Sequence, residues 1–221
     1  MNLSIVIPAY NESDRIEQTL KSLKNLQLRN SEIIVVDDGS IDETKRIASQ
    51  YADKLVVLNR NEGKGQALQK GWKEAEGDYI ACLDADLGES SVEVRRLLAP
   101  VLNKQVDLTI SMISPGKKAG MGIVKRRVQS LVYQKTGKHL QAPLSGQRVF
   151  HRKWLPFLIE RKYVGFGIEA QMTIDLLNAG ATFLEVPTTM THREMGKSIR
   201  GFYHRLKQWI EIEKQLRGAG S

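Results

Sequence analysis

The chain has 221 residues, enough for one large domain or a domain with a modest second lobe, and enough to bury a core without a disulfide or metal. Its single cysteine, Cys82, excludes an intramolecular disulfide, and no run of about 18 uninterrupted apolar residues encodes a membrane-spanning helix. Lysine and arginine number 33 against 25 acidic residues, and this net charge of +8 favours an anionic partner: nucleotide, phosphorylated lipid, membrane surface or nucleic acid.

The opening MNLSIVIPAY has no basic leader and breaks at Pro8, so it does not read as a signal peptide; with the lone cysteine this points to a reducing, cytoplasmic setting. LSIVIPA (3–9) reads as a buried strand. Asn11 or Ser13 is placed to cap a helix with Ile16, Leu20, Leu23 and Leu26 on one face. EIIVVDD (32–38), KLVVL (54–58), DYIACLD (78–84) and VDLTIS (106–111) read as further strands. Between them run the helical stretches 42–52, 65–75 and 91–102. Near-continuous apolar strands alternating with helices predict an α/β fold with a mainly parallel sheet covered on both faces. The rhythm changes after residue 112. A Gly-rich basic loop (114–122) leads to a helix over 123–137, a strand entry at 144–150, a helix at 168–179, a strand at 181–187 and a last helix at about 201–217. This divides one domain into halves, 1–112 and 113–217, with 218–221 as a disordered tail.

In an open parallel sheet, ligands bind outside the carboxyl ends of the strands. Glu12, Asp37, Asp38, Asp84 and Asp86 all fall there, which places these carboxylates at the rim and not in the core. Alternation along a strand puts Asp84 and Asp86 on one side, a pair of oxygen ligands suited to Mg²⁺ or Mn²⁺. An acidic turn capping the next helix explains the same Asp-x-Asp. NEGKGQAL (61–68) supplies Gly63 and Gly65 for close backbone approach and Lys64 for a phosphate; a plain tight turn is the alternative. It is neither a dinucleotide fingerprint nor a Walker loop.

PAYNE (8–12), VVDDGSIDET (35–44), NEGKGQAL (61–68) and CLDADL (82–87) together resemble family 2 glycosyltransferases with the GT-A fold, a Rossmann-like sheet. PLSGQRVF (143–150), GFGIEAQMTIDLLNAGATFLEVP (165–187) and HREMGKS (192–198) resemble the dolichol- or polyprenyl-phosphate sugar transferase branch. The resemblance implies roles. Pro8, Ala9, Tyr10 and Glu12 hold the nucleoside, and Asp38 contacts the base. Asp84 and Asp86 bind the metal against the diphosphate of the sugar nucleotide. Arg148 lies near the donor or acceptor phosphate. Arg193, Lys197 and Ser198 close over the diphosphate, and His192 is a further candidate metal ligand. Residues 1–112 then form the nucleotide-sugar half and 113–217 the acceptor side. The implied reaction is metal-dependent, inverting transfer from a UDP-sugar, or a GDP-sugar, to a lipid phosphate. A soluble hydroxyl acceptor is the alternative, with Glu169 as its base, although a carboxylate in a helix's first turn is also favoured by the macrodipole.

Two positions depart from that branch. Position 88 is Gly where many members carry Gln, and position 142 is Ala where many carry Asp. Lys125, Arg126, Arg127, Lys135 and Lys138 alternate with Val124, Val128, Leu131 and Val132. Such a helix either packs on the sheet with a solvated basic face or lies on an anionic membrane. The last helix, with Trp209, poses the same choice. A nucleotidyltransferase would carry a basic Gly-rich loop where AYNE stands. Against a nucleic-acid binder stand an aromatic content of only 6% and the lack of an interleaved basic–aromatic strand motif. The Asp pair speaks against a non-catalytic sugar-nucleotide binder.

Overall fold

The computed structural model describes residues 2–113, 122–161, 163 and 167–191. Seven strands form one sheet: β1 (Leu3–Ala9), β2 (Ser31–Asp37), β3 (Lys54–Val57), β4 (Tyr79–Cys82), β5 (Leu108–Ile113), β6 (Arg148–His151) and β7 (Phe183–Thr188). Their order is β3-β2-β1-β4-β6-β5-β7. All neighbours are parallel except β6, which runs against both β4 and β5.

The strands are apolar at nearly every position because both faces are covered. Along β1, Val6 faces one layer, with Ile34, Ile80 and Cys82 from its neighbours. Ile5 and Ile7 face the other, with Ile33, Val35 and Ala81. The first layer is built by α3 (Lys64–Glu74), α5 (Gly122–Thr136), α6 (Leu155–Glu160) and α7 (Ile168–Asn178). The second is built by α1 (Ile16–Asn25), α2 (Thr44–Tyr51) and α4 (Val94–Leu102). On α5, Val128, Leu131 and Val132 are buried while Lys125 and Arg126 are exposed, so its apolar stripe packs on the sheet. The loop 114–121, the segment from His192 onward and the expected last helix with Trp209 lie outside the described residues.

Several expectations need correction. Neither Asn11 nor Ser13 caps α1, whose start has no side-chain cap. Asn11 instead has a φ of 54° and its Oδ1 accepts from the Ile41 amide at 3.0 Å, so it ties the β1–α1 loop to the β2–α2 loop. β4 ends at Cys82, so Asp84 lies beyond the strand and Asp86 in the turn that follows. Helix α6 was not anticipated. Its signal is Pro156 in the first turn of RKWLPFLIE, where a missing N–H costs nothing.

Candidate active site

Strand order reverses between β1 and β4, since β2 and β3 lie on one side of β1 and the rest of the sheet on the other. This switch point is where an open sheet leaves a crevice at its carboxyl edge. Pro8 lies in β1 past Val6, the last residue paired with β4, so its missing N–H breaks no rung on that side. Ala9 is buried, Tyr10 is 44% exposed at the rim, and Glu12 is half-buried. The two loops above β1 and β2 are laced together. The amides of Asn11, Glu12 and Ser13 donate to Ser40 Oγ, Thr44 Oγ1 and Asp42 Oδ2 at 3.0, 2.8 and 3.1 Å.

Asp42 anchors this lacing. Its Oδ1 also accepts from the Thr44 amide and hydroxyl. Burial pushes the carboxyl up, but the hydrogen bonds of Thr44 and Ser13 outweigh it and hold the pKa down at about 2. A depressed carboxylate stabilises the fold fully above its unfolded value, near 4, and that stability drains as pH falls from about 4 to about 2. An Asp42→Asn variant should therefore lose about 1–2 kcal/mol at neutral pH, with the gap to wild type closing toward pH 2. Thermal melts across that range check it.

Asp37 and Asp38 are not at the rim. They are 1% and 3% exposed. Asp38 turns inward because two backbone donors wait there: the Glu62 and Gly63 amides bond its two oxygens at 2.7 and 2.9 Å. Burial raises its pKa against those hydrogen bonds. Asp38 thus fixes the 61–63 turn that launches α3. Gly65 serves packing and not ligand approach, because a Cβ there would fall 2.5 Å from the Tyr163 carbonyl.

The chemistry concentrates around Lys64, the first residue of α3. Its ammonium bridges Asp84 Oδ1 at 2.7 Å and Glu169 Oε1 at 2.6 Å. Burial alone would lower its pKa, yet these two carboxylates raise it well above the usual lysine range. The other Asp84 oxygen accepts from Gln147 Nε2 at 2.6 Å, and Ser145 Oγ donates to Gln147 Oε1 at 3.1 Å. Gln147 reaches Asp84 because β6 is antiparallel: the pairing Cys82↔Arg148 delivers residues 145–147 to the end of β4. Gly146 passes so close that a Cβ would fall 2.7 and 2.8 Å from the Asp84 oxygens and 2.8 Å from Lys64 Nζ.

Asp86 lies two residues on and is half-buried, while Ala85 between the pair is 4% exposed. The turn is pinned by Thr19, which donates to the Ala85 carbonyl at 2.7 Å and accepts from the Gly88 amide at 2.8 Å. Asp84 and Asp86 thus both follow β4, placed by the turn and not by strand pleating. Two such hard oxygen groups fit Mg²⁺ or Mn²⁺, which complete their shell with phosphate and water. Lys64 already places a positive charge against one of them. Among the described residues no group of three His, Cys, Asp or Glu could hold a metal by itself.

Arg148 is 1% exposed. Its guanidinium donates to the Ser145 and Glu169 carbonyls at 2.6 and 2.9 Å and to Thr173 Oγ1 at 2.8 Å. Burial lowers its pKa against the opposing charge of Glu169. It ties the turn before β6 to the first turn of α7. Gln147 and Thr19 carry structural roles that the sequence reading missed. The S-G-Q-R motif was the available signal for Gln147; none existed for Thr19. His192, Arg193, Lys197 and Ser198 lie outside the described residues.

Residues 4–163 match the family model described as Glycosyl transferase family 2. The chain belongs to that family. It is 38% identical to an undecaprenyl-phosphate 4-deoxy-4-formamido-L-arabinose transferase of Proteus mirabilis, over 44% of this chain and 32% of that protein. It is 28% identical to a dolichol-phosphate mannosyltransferase of Pyrococcus furiosus, over 97% of this chain and 66% of that protein. The chain therefore spans about a third of the first relative and just under two thirds of the second. Its fold is shared with glucosyl-3-phosphoglycerate synthase of Mycobacterium tuberculosis. The complex of that enzyme with Mn²⁺ and UDP-glucose gives a TM-score of 0.74 at 25% identity, covering 92% of this chain and 75% of that one. Its phosphoglyceric acid complex gives 0.77 at 24% identity, over 97% and 78%. The α/β sheet is that of the GT-A glycosyltransferases.

Proposed function

We propose that this chain transfers a sugar, with inversion, from a UDP-linked donor to a polyprenyl-phosphate-like acceptor, with Mg²⁺ or Mn²⁺ held by Asp84 and Asp86. The observation that carries this reading is the convergence of Asp84, Lys64 and the turn carrying Ser145 and Gln147 at the switch point of the sheet. The metal relatives and the lipid-phosphate relatives named above support its two halves. Pro8, Ala9, Tyr10 and Glu12 line the nucleoside side, next to the turn that Asp38 holds. Arg193, Lys197 and Ser198 follow in sequence and would meet the diphosphate, with His192 beside them.

The leaving diphosphate gains negative charge as the sugar departs, and a cation held by Asp84 and Asp86 would supply the Lewis acidity that stabilises it. Lys64 adds an ammonium at the same point. Arg148 orients the Ser145–Gln147 turn, and Gln147 orients Asp84. A lipid phosphate arrives ionised and needs no base. A soluble hydroxyl acceptor would need one, and Glu169, with its carboxylate at the crevice, is the group at hand. Position 142 gives no side-chain acid here; its amide donates to Glu185 Oε1 at 2.6 Å.

The exposed Lys125 and Arg126 of α5 would face an anionic membrane, each basic residue near the surface contributing about 1 kcal/mol. No described helix is long and apolar enough to cross a membrane.

The test pairs each acceptor class with the Glu169→Gln variant, after calorimetric titration of UDP, GDP and ADP with Mn²⁺. The reading expects UDP to bind best and Glu169→Gln to leave transfer to polyprenyl phosphate largely intact. Preference for ADP would overturn the nucleoside assignment. Transfer to a soluble hydroxyl acceptor that Glu169→Gln abolishes, indifferent to lipid, would overturn the lipid-phosphate assignment.

A further inference from the structure

We propose that Lys64 is a built-in occupant of the metal site, so that the divalent cation gains Asp84 only when the donor's diphosphate draws Lys64 away. This rests on the metal-dependent reading above and adds an order to it: cation and donor bind as a unit, and each alone binds weakly.

The geometry supplies the argument. Lys64 Nζ stands 2.7 Å from Asp84 Oδ1, the distance of a full charge-assisted hydrogen bond and the place a metal ligand must be vacant. A divalent cation and an ammonium cannot share that oxygen, because like charges at such separation repel strongly. The other Asp84 oxygen is held by Gln147, so the carboxylate cannot simply rotate to offer a different face. The ammonium cannot step toward β6 either, because Gly146 packs against it so closely that even a Cβ would not fit. Two destinations remain. One is Glu169, already at 2.6 Å. The other is an incoming phosphate, and Lys64 is suited to it: it opens α3, whose first turn presents backbone amides and positive dipole to an anion. Its side chain is 34% exposed, so it has a path outward. A diphosphate therefore offers Lys64 a partner while bringing oxygens for the metal. The same arrangement keeps Asp84 from lying bare and repelling the donor before the metal arrives.

The experiment is an Mn²⁺ titration read by the loss of the free-ion electron paramagnetic resonance signal, on wild type and Lys64→Met, with and without UDP. Without nucleotide, Lys64→Met should bind Mn²⁺ at least about tenfold tighter than wild type. With UDP, that advantage should vanish or reverse, so the factor by which UDP tightens Mn²⁺ falls at least about tenfold in the variant. Lys64→Gln repeats the test with a neutral polar side chain should the methionine variant fold poorly. Equal or weaker Mn²⁺ binding by both variants without nucleotide would overturn the proposal. If wild type binds UDP but takes up no Mn²⁺ with or without it, the metal reading itself fails, and that outcome is distinct from a wild type that binds Mn²⁺ equally well in both states.

Discussion

Replacing Asp86 by alanine should lower sugar transfer by about 10³-fold or more, the scale of removing one group that stabilises charge developing in the transition state. The side chain sits in the turn after β4 and is half-buried. The turn's own hold on α1 runs through Thr19, the Ala85 carbonyl and the Gly88 amide, none of which the substitution removes. The fold should therefore stay intact. Mn²⁺ titration in the presence of UDP, beside a thermal melt, separates the two effects. A variant that melts normally and still takes up Mn²⁺ with UDP would remove Asp86 from the metal shell, and full wild-type activity in excess chelator would remove the metal from the reaction.

Arg148→Met should do the opposite: it should strike the fold first. Three acceptors lose a buried donor, the carbonyls of Ser145 and Glu169 and the Thr173 hydroxyl, although Thr173 keeps its own bond to the Glu169 carbonyl at 2.7 Å. Each buried group left without a partner costs about 1–3 kcal/mol, so a loss near 3 kcal/mol is expected. For a domain of this size that lowers Tm by about 6–12 °C. Transfer should fall by about 10²-fold even well below the melting temperature, since the turn carrying Gln147 is no longer held against α7. Arg148→Lys should rescue little, because one ammonium cannot reach carbonyls in two directions as the guanidinium fork does. Scanning calorimetry and rates at low temperature check both statements. A variant with wild-type Tm and reduced donor affinity alone would instead place the guanidinium on substrate.

These two residues show what could and could not be read from the chain. The alternation of apolar runs and helices made a parallel sheet legible, because each strand must feed both covered faces and so loses its polar positions. The Asp84–Asp86 pair stood out as a candidate site because it follows such a run. The buried state of Asp38 was not, since the Glu62 and Gly63 amides that turn it inward come from a loop beyond the next strand. The resemblance gave Arg148 to a phosphate; its partners in the fold, two backbone carbonyls and the Thr173 hydroxyl, are ones no sequence pattern advertises. Gln147 was hidden for a related reason. Its reach to Asp84 depends on β6 running against β4, and direction within a sheet is not written in hydrophobic period.

That reversed strand also bears on how the chain is made. Ribosomes deliver β4 long before β6, yet among the described residues β6 is the strand that closes the open side of β4 and bridges it to β5 and β7. Until residues 148–151 emerge, the four leading strands present a bare row of backbone groups along residues 79–82, the kind of edge that recruits other chains. Pairings so distant in sequence close slowly. The crevice at the switch point therefore stays incomplete until β6 arrives, and a nascent chain halted before it would have no Gln147 to orient Asp84, and an appetite for neighbours.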